Sequence, residues 1–350
     1  MDKIYLEELN NLLEEAHAIP NSRMMAIAKV SSMIMLNIQY EKISENPNLK
    51  THPYKLVSQL IKNIRDYLSA MESISFIEDD DKQIVKINKI SLEEGHQELF
   101  QKLWVNFSKE DYNKRIDRYF YRLQINGLAD GFLKGFKCID FGCGHGNFLH
   151  AVLKAGGDYH HGIDFGKGSI NYAKKARDRL GITKKQIEFS VETVYDTSFD
   201  NNTFDFAIQN GVFHHLENED MAYNEVHRIL KPGGWFWVYS DGSGCIKNEL
   251  WDAAKEILSE IPYDFIISFL EYMNIETGKR YHLGDGLNAI YRFTTYDELT
   301  NRLESYGFCN FRRLVGGYSS DYDHDTIKNH NFGKEKFGEG NLRLLAQKQP

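Results

Sequence analysis

The sequence predicts an α/β fold: a mostly parallel sheet of seven strands with helices on both faces, preceded by a mainly helical N-terminal subdomain. Three observations carry this. From Lys137 onward, short apolar runs alternate with helix-length segments of apolar periodicity, which calls for strand–helix–strand units and a parallel sheet. The first unit, K-C-I-D-F-G-C-G-H-G-N-F-L-H-A over Lys137–Ala151, joins strand to helix through a tight turn containing Gly142, Gly144 and Gly146. Ahead of it, the chain reads largely as amphipathic helix.

The elements follow in order. Leu6, Leu9, Leu12 and Leu13 recur at helical spacing, Pro20 interrupts, and Met24–Ile38 resumes with an apolar face. Pro47 and Pro53 bracket a break before a helix through Leu56, Leu60, Ile64, Tyr67 and Leu68. The acidic cluster Glu78–Asp81 marks a turn, and Gln83–Ile90 alternates like a short strand. Glu93–Gly127 is helical, with Arg115, Tyr119 and Arg122 on one face. After the glycine turn, Phe148–Leu153 continues a helix. Strands are expected at Tyr159–Asp164, Gln186–Val191, Phe204–Gln209 and Trp235–Tyr239, with helices at Gly168–Leu180 and Asp220–Leu230. The turn K-P-G-G stops the last of these helices. Helices at Glu249–Glu260 and Asp264–Met273, then a glycine-bearing turn at Gly284 and Gly286, break the rhythm. Thr295–Tyr306 is a helix capped by Thr294 or Thr295 and ended by Gly307. Phe311–Val315 and Leu342–Ala346 close the sheet. The loop between them, with Asp321, Asp323, His324, Asp325 and His330, reads as solvated chain, with a metal site as the alternative.

Composition narrows the partners. The 350 residues are 42% hydrophobic and 26% charged, ordinary for a soluble globular protein. The net charge is −8 and no long Lys/Arg block occurs, which disfavours nucleic acid. The most apolar early window, Met24–Ile38, is broken by Lys29, Ser31, Ser32 and Asn37, so no membrane span is expected. No signal-peptide core is visible, and the expected location is cytoplasmic. Cys138, Cys143, Cys245 and Cys309 show no C-x-x-C pairing; free thiols and no metal site are expected.

A glycine turn after the first strand of a parallel sheet suits two cofactors, NAD(P) and S-adenosylmethionine. The dinucleotide fingerprint is G-x-G-x-x-G. Here the spacing is G-x-G-x-G, with Asn147 in the third fingerprint position. Four stretches then occur in order: C-I-D-F-G-C-G-H-G-N-F-L, H-G-I-D-F, T-S-F-D-N-N-T-F-D-F-A-I-Q-N-G-V-F-H-H-L and H-R-I-L-K-P-G-G. Together they resemble the class I S-adenosylmethionine-dependent methyltransferases over about residues 136–240, with a Rossmann-like sheet implied. The first ~110 residues and most of residues 245–290 lie outside the resemblance.

The resemblance implies roles by position. Gly142, Cys143 and Gly144 line the methionine part of S-adenosylmethionine, with Asp140 near its amino group. Asp164 accepts hydrogen bonds from the ribose hydroxyls, and Phe165 packs on the adenine. Thr193 and Val194 stand where the family often has an acidic adenine contact, a departure from its pattern. Asn210 and Gly211 lie beside the sulfonium. Arg115 and Tyr119 reach the cofactor if their helix lies over the turn; the alternative is a solvated face. His214 and His215 are the candidate bases, with packing of the H-H pair as the other reading; Tyr239, Asp241 and His282 are weaker candidates to frame the acceptor. The implied domains are a helical 1–110, serving as cap, support or homodimer contact, and a cofactor-binding 111–350 with a lid at about 245–290. The expected reaction is methylation of O, N or S on a small metabolite or natural-product intermediate, leaving S-adenosylhomocysteine. A peptide or protein acceptor, and a catalytically silent cofactor-binding partner protein, are the alternatives.

Overall fold

The computed structural model describes residues 3–75, 108–275, 280, 283, 287, 290–318 and 321–350. The expected turn at 78–81, the strand at 83–90, residues 93–107 of the next helix, His282 and the turn at Gly284 and Gly286 lie outside the described residues. In chain order the elements are α1 (Tyr5–Ala18), α2 (Arg23–Glu45), α3 (Pro53–Ser75), α4 (Lys109–Ile125), β1 (Lys137–Phe141), α5 (Asn147–Lys154), β2 (Tyr159–Asp164), α6 (Lys167–Arg179), β3 (Ile187–Val191) and β4 (Phe204–Asn210). There follow α7 (Glu219–Ile229), β5 (Leu230–Asp241), α8 (Ile246–Ile257), α9 (Tyr263–Tyr272), α10 (Tyr296–Ser305), β6 (Phe308–Arg313), α11 (His324–Asn329), α12 (Gly333–Phe337) and β7 (Asn341–Lys348).

The chain divides into two units. The first comprises Met1–Gly95, Ser243–Ala289 and Asp325–Gly338. In it α1 buries Tyr5, Leu9, Leu12 and Ala16, a single stripe at helical spacing. Ser22 caps α2 by accepting a hydrogen bond from the Met25 amide at 3.2 Å. Because α2 is buried on nearly every side, it is the centre of this unit. Its Lys29 donates to the Ile19 carbonyl at 2.8 Å and to Asn21 at 2.7 Å, so a charge inside a helical core is satisfied at the end of α1. Ile246, Leu250, Ala254 and Ile257 of α8 join the same apolar cluster, and Lys3 pairs with Glu249 at 2.7 Å. The stretch Ser243–Ala289, which takes in most of the expected lid at about 245–290, belongs to the helical unit. Its helices carry one apolar stripe each, and α1 and α2 supply the surface that covers it.

The second unit comprises His96–Gly242, Ile290–His324 and Glu339–Pro350. Its seven strands run in the order β3-β2-β1-β4-β5-β7-β6. The first five are parallel, whereas β7 is antiparallel to both β5 and β6. Alternation sends Ile139, Phe141, Phe236 and Val238 to one face and Cys138, Phe206, Ile208 and Trp237 to the other, each with its own helical cover. After β3 the chain returns to the other side of β1, so the strand order reverses between β1 and β4. A crevice is expected at the carboxyl ends of those two strands.

Three local expectations change. The K-P-G-G turn is part of β5: Leu230 pairs with Phe204, and the register shifts before Trp235, with Gly233 at φ +75°. Lys231 holds that end through Asp205 at 2.6 Å. Next, β6 begins three residues before the expected Phe311, because Phe308 is buried directly after Gly307 and pairs with Lys348. Finally, Asp321 and Asp323 are buried, unlike residues of a solvated loop. Asp321 is bonded by Arg122 at 2.6 Å and Arg343 at 2.8 Å, and Asp323 by the Gly316 amide at 2.7 Å and Arg343 at 3.2 Å. Among the described residues no group of three His, Cys, Asp or Glu is set to hold a metal, and no helix is long and apolar enough to cross a membrane. All four cysteines are free thiols.

Candidate functional site

At the end of β1 the backbone turns through Gly142 at φ +69°, Gly144 at +52° and Gly146 at +78°. The three glycines are there for different reasons. A Cβ on Gly142 would sit 2.6 Å from the Val212 side chain, and one on Gly146 would sit 2.5 Å from the Phe189 ring. A Cβ on Gly144 would meet no atom within 4 Å, so this glycine serves conformation and leaves open space above the turn. Gly146→Ala therefore combines left-handed strain with overpacking, and we expect it to cost about 2–4 kcal/mol. A denaturant midpoint equal to that of the parent protein would contradict this.

The turn is held from below and above. The Cys143 amide donates to the Ile163 carbonyl at 2.9 Å. Asp164 accepts from the Gly144 amide at 2.9 Å and from the Gly166 amide at 2.7 Å, so one carboxylate clamps the ends of β1 and β2 together. From above, Tyr112 of α4 donates to the His145 carbonyl at 2.8 Å, and Asn147 donates to the Tyr112 carbonyl at 3.2 Å. Tyr119, two turns on, stacks on Phe148 with centroids 4.6 Å apart and planes 5° off parallel. The helix carrying Arg115 and Tyr119 therefore lies over the glycine turn.

Electrostatics follow from this enclosure. Burial first, then the Asp164 charge, pushes the Asp140 carboxyl well above the usual range. Cys143 is pushed up the same way. His145 stacks on Tyr172 at 4.2 Å, and burial with the nearby Arg115 lowers its pKa to about 4. Arg115 is half-buried, and burial lowers its pKa too.

At the end of β4, Asn210 bridges two elements. Its amide nitrogen donates to Tyr119 Oη at 3.4 Å, and its oxygen accepts from Trp237 Nε1 at 3.3 Å. Gly211, at φ +83°, lies against Tyr239, whose ring is 3.1 Å from where a Cβ would stand. Gln209 donates to the Tyr239 carbonyl at 2.9 Å and accepts from the Val212 amide at 3.1 Å, which sets the loop that follows. His214 and His215 form a short 3-10 turn and are both buried. His215 Nδ1 bonds the Ile290 carbonyl at 2.8 Å, whereas His214 stacks on Tyr291 at 4.9 Å. Phe165 is 37% exposed and follows Asp164, whose register partner Val191 is 49% exposed. Thr193 is exposed, with its hydroxyl accepting from the Tyr195 amide at 3.3 Å, and Val194 is buried.

The structure thus gathers Asp140, Gly142, Cys143, Gly144, Asp164, Asn210 and Gly211 at the carboxyl ends of β1, β2 and β4, with Arg115 and Tyr119 on the helix above. Phe165, Thr193 and Val194 follow β2 and β3. Tyr112, Gln209 and Tyr291 are the residues that sequence reasoning missed. A glutamine directly after the apolar run F-A-I was the available signal for Gln209; Tyr112 and Tyr291 carried none.

Residues 139–238 match the family described as a methyltransferase domain. Similar proteins include a sterol 24-C-methyltransferase of Gibberella zeae, 30% identical over 132 residues, covering 37% of this chain and 33% of that one. A fatty-acid O-methyltransferase of Mycolicibacterium smegmatis is 25% identical over 158 residues, covering 43% of this chain and 55% of that one. A phosphoethanolamine N-methyltransferase of Caenorhabditis elegans is 25% identical over 147 residues, covering 38% and 33%. The chain spans between a third and just over half the length of these relatives.

Proposed function

We propose that residues 139–238, which match the methyltransferase-domain family, bind S-adenosylmethionine in the manner of the class I enzymes, and that the chain methylates an O, N or S atom of a small-molecule acceptor. The observation that carries the cofactor assignment is the Asp164 clamp. A carboxylate can take about four hydrogen bonds. The Gly144 and Gly166 amides fix both of its oxygens at the end of β2, the right chemistry to receive two adjacent ribose hydroxyls. The open space over Gly144 and the apolar Phe165 and Val191 surfaces fit the remainder of the molecule.

When bound, the cofactor supplies an electrophilic methyl group and its leaving group. The chain's own work is therefore alignment and exclusion of water. In this reading Gly142, Cys143 and Gly144 cradle the methionine part, and Asp140 stands by its amino group. Arg115 and Tyr119 cover it from α4, while Phe165, Thr193 and Val194 border the base. Asn210 and Gly211 border the reacting end. His214 is one base within reach of an acceptor that has to lose a proton; His215 is the anchor of the Ile290 segment. Relatives named for a sterol, a fatty acid and phosphoethanolamine, together with the net charge of −8, support a small molecule over nucleic acid.

Calorimetric titration with S-adenosylhomocysteine and with NAD(P) tests the cofactor, and transfer of a labelled methyl group to pooled metabolites tests the reaction. We expect saturable binding of S-adenosylhomocysteine alone and label in at least one pool. Binding of NAD(P) alone would overturn the reading.

A further inference from the structure

We infer that Tyr291 and Asp241 form an acceptor subsite that selects a hydrogen-bond donor, an alcohol, phenol or amine bearing O–H or N–H. The inference rests on the methyltransferase reading and narrows it. Asp241, the last residue of β5, accepts at Oδ1 from Tyr239 Oη at 2.8 Å and from Asn341 at 2.9 Å, and at Oδ2 from Tyr291 Oη. Asn341 also donates to Tyr239 Oη at 3.0 Å. The single proton of each phenol is therefore committed to the carboxylate. Any further group that meets Tyr291 Oη or Asp241 Oδ2 meets only lone pairs and has to donate. The cluster cannot satisfy an ether, an ester or a second carboxylate.

Its position gives the selection a purpose. The Tyr239 ring lies on Gly211, the residue assigned to the reacting end of the cofactor, and His214 stacks on Tyr291. Two phenols, an imidazole and a carboxylate thus share one wall at the carboxyl ends of β4 and β5. Asp241 and Tyr291 are both half-buried, which leaves part of each in reach of a small molecule. Burial and the Asp241 charge push the Tyr239 phenol well above its ordinary range, so it stays a donor. When an acceptor gives up its proton, the proton can pass to Tyr291 Oη as Tyr291 passes its own to Asp241 Oδ2. The tyrosine is regenerated and the carboxylate ends as a neutral carboxyl.

The test uses binding, with saturating S-adenosylhomocysteine and the full chain. Phenol is compared with anisole, and benzylamine with benzyltrimethylammonium, by calorimetry on the parent protein, Tyr291→Phe and Asp241→Asn. The parent should bind each donor at least fivefold more tightly than its methylated counterpart. Asp241→Asn, which puts an N–H donor where Oδ2 stood and releases the phenol proton, should lose that preference while binding S-adenosylhomocysteine within threefold of the parent. Tyr291→Phe bares Asp241 Oδ2 and should keep a preference for donors. Should Asp241→Asn fail to fold, the double variant Tyr291→Phe/Asp241→Leu, which removes both acceptor oxygens, decides in its place. Equal or absent binding within each pair on the parent, or a preference that survives the deciding variant, overturns the inference. Failure of the parent to bind S-adenosylhomocysteine overturns the functional reading itself.

Discussion

Asp164→Ala weakens S-adenosylhomocysteine binding by more than tenfold, and by about a hundredfold if both ribose hydroxyls bond the carboxylate. Hydrogen bonds to a charged group contribute about 1.5–3 kcal/mol, and each 1.4 kcal/mol is a factor of ten in affinity. The substitution also strips the Gly144 and Gly166 amides of their acceptor, so the turn should lose order in the free protein. Asp164→Asn separates the two effects, because it retains one oxygen and loses the charge. We expect it to recover part of the affinity in calorimetry. An Asp164→Ala affinity within threefold of the parent would mean that the ribose lies elsewhere.

The second large effect is on acid stability. His145, His150 and His160 are all buried, and burial is the first cause that lowers each to a pKa of about 4. Burial keeps His150 neutral, although the Gly146 carbonyl, 2.8 Å from its Nδ1, pulls its pKa the other way. Once unfolded, each takes up a proton near 6.5, whereas folded it resists until about 4. The unfolded state therefore binds more protons across that window, and stability falls as pH drops through it. Each imidazole carries up to about 3 kcal/mol by pH 4, against a total stability of about 5–15 kcal/mol for a typical domain. Asp140 acts in the opposite sense, because its raised pKa favours the folded state in acid, and offsets part of the loss. Urea midpoints measured from pH 8 to pH 4 should be level above pH 7 and fall steeply below 6.5. A flat profile between pH 7 and pH 5 would refute this account.

Much of the sheet could be read before folding, for a physical reason. Strands β1 to β5 alternate or run apolar over short stretches, and glycines mark most of the connections between them, the one from β3 to β4 excepted. Thr295 was legible as a cap because the capping box with Glu298 is local, 3.1 Å one way and 2.8 Å the other. What escaped depends on distant partners. Asp321 and Asp323 read as surface charges, since nothing nearby in sequence announces that Arg122 and Arg343 will meet them inside. The stripe of Ile246, Leu250 and Ile257 says that α8 packs on something, without saying on α1 and α2. The site divided in the same way: Gly142, Gly144 and Asp164 are marked by the turn they build. Tyr112 and Tyr291 act through single hydroxyls that leave no pattern.

The helical unit drawn from three separate stretches of chain bears on how the protein is made. Its core needs α1 at residues 5–18 and α8 at residues 246–257, and its boundary also takes in residues 325–338. Helices α1 to α3 can cover one another as they emerge from the ribosome, but the part of their apolar surface that α8 covers must wait for most of the remaining chain. Contacts so far apart in sequence form slowly and leave sticky surface exposed meanwhile. The unit whose sequence comes first is therefore among the last to finish folding, and a fragment cut after residue 110 would lack about a third of the buried core seen among the described residues.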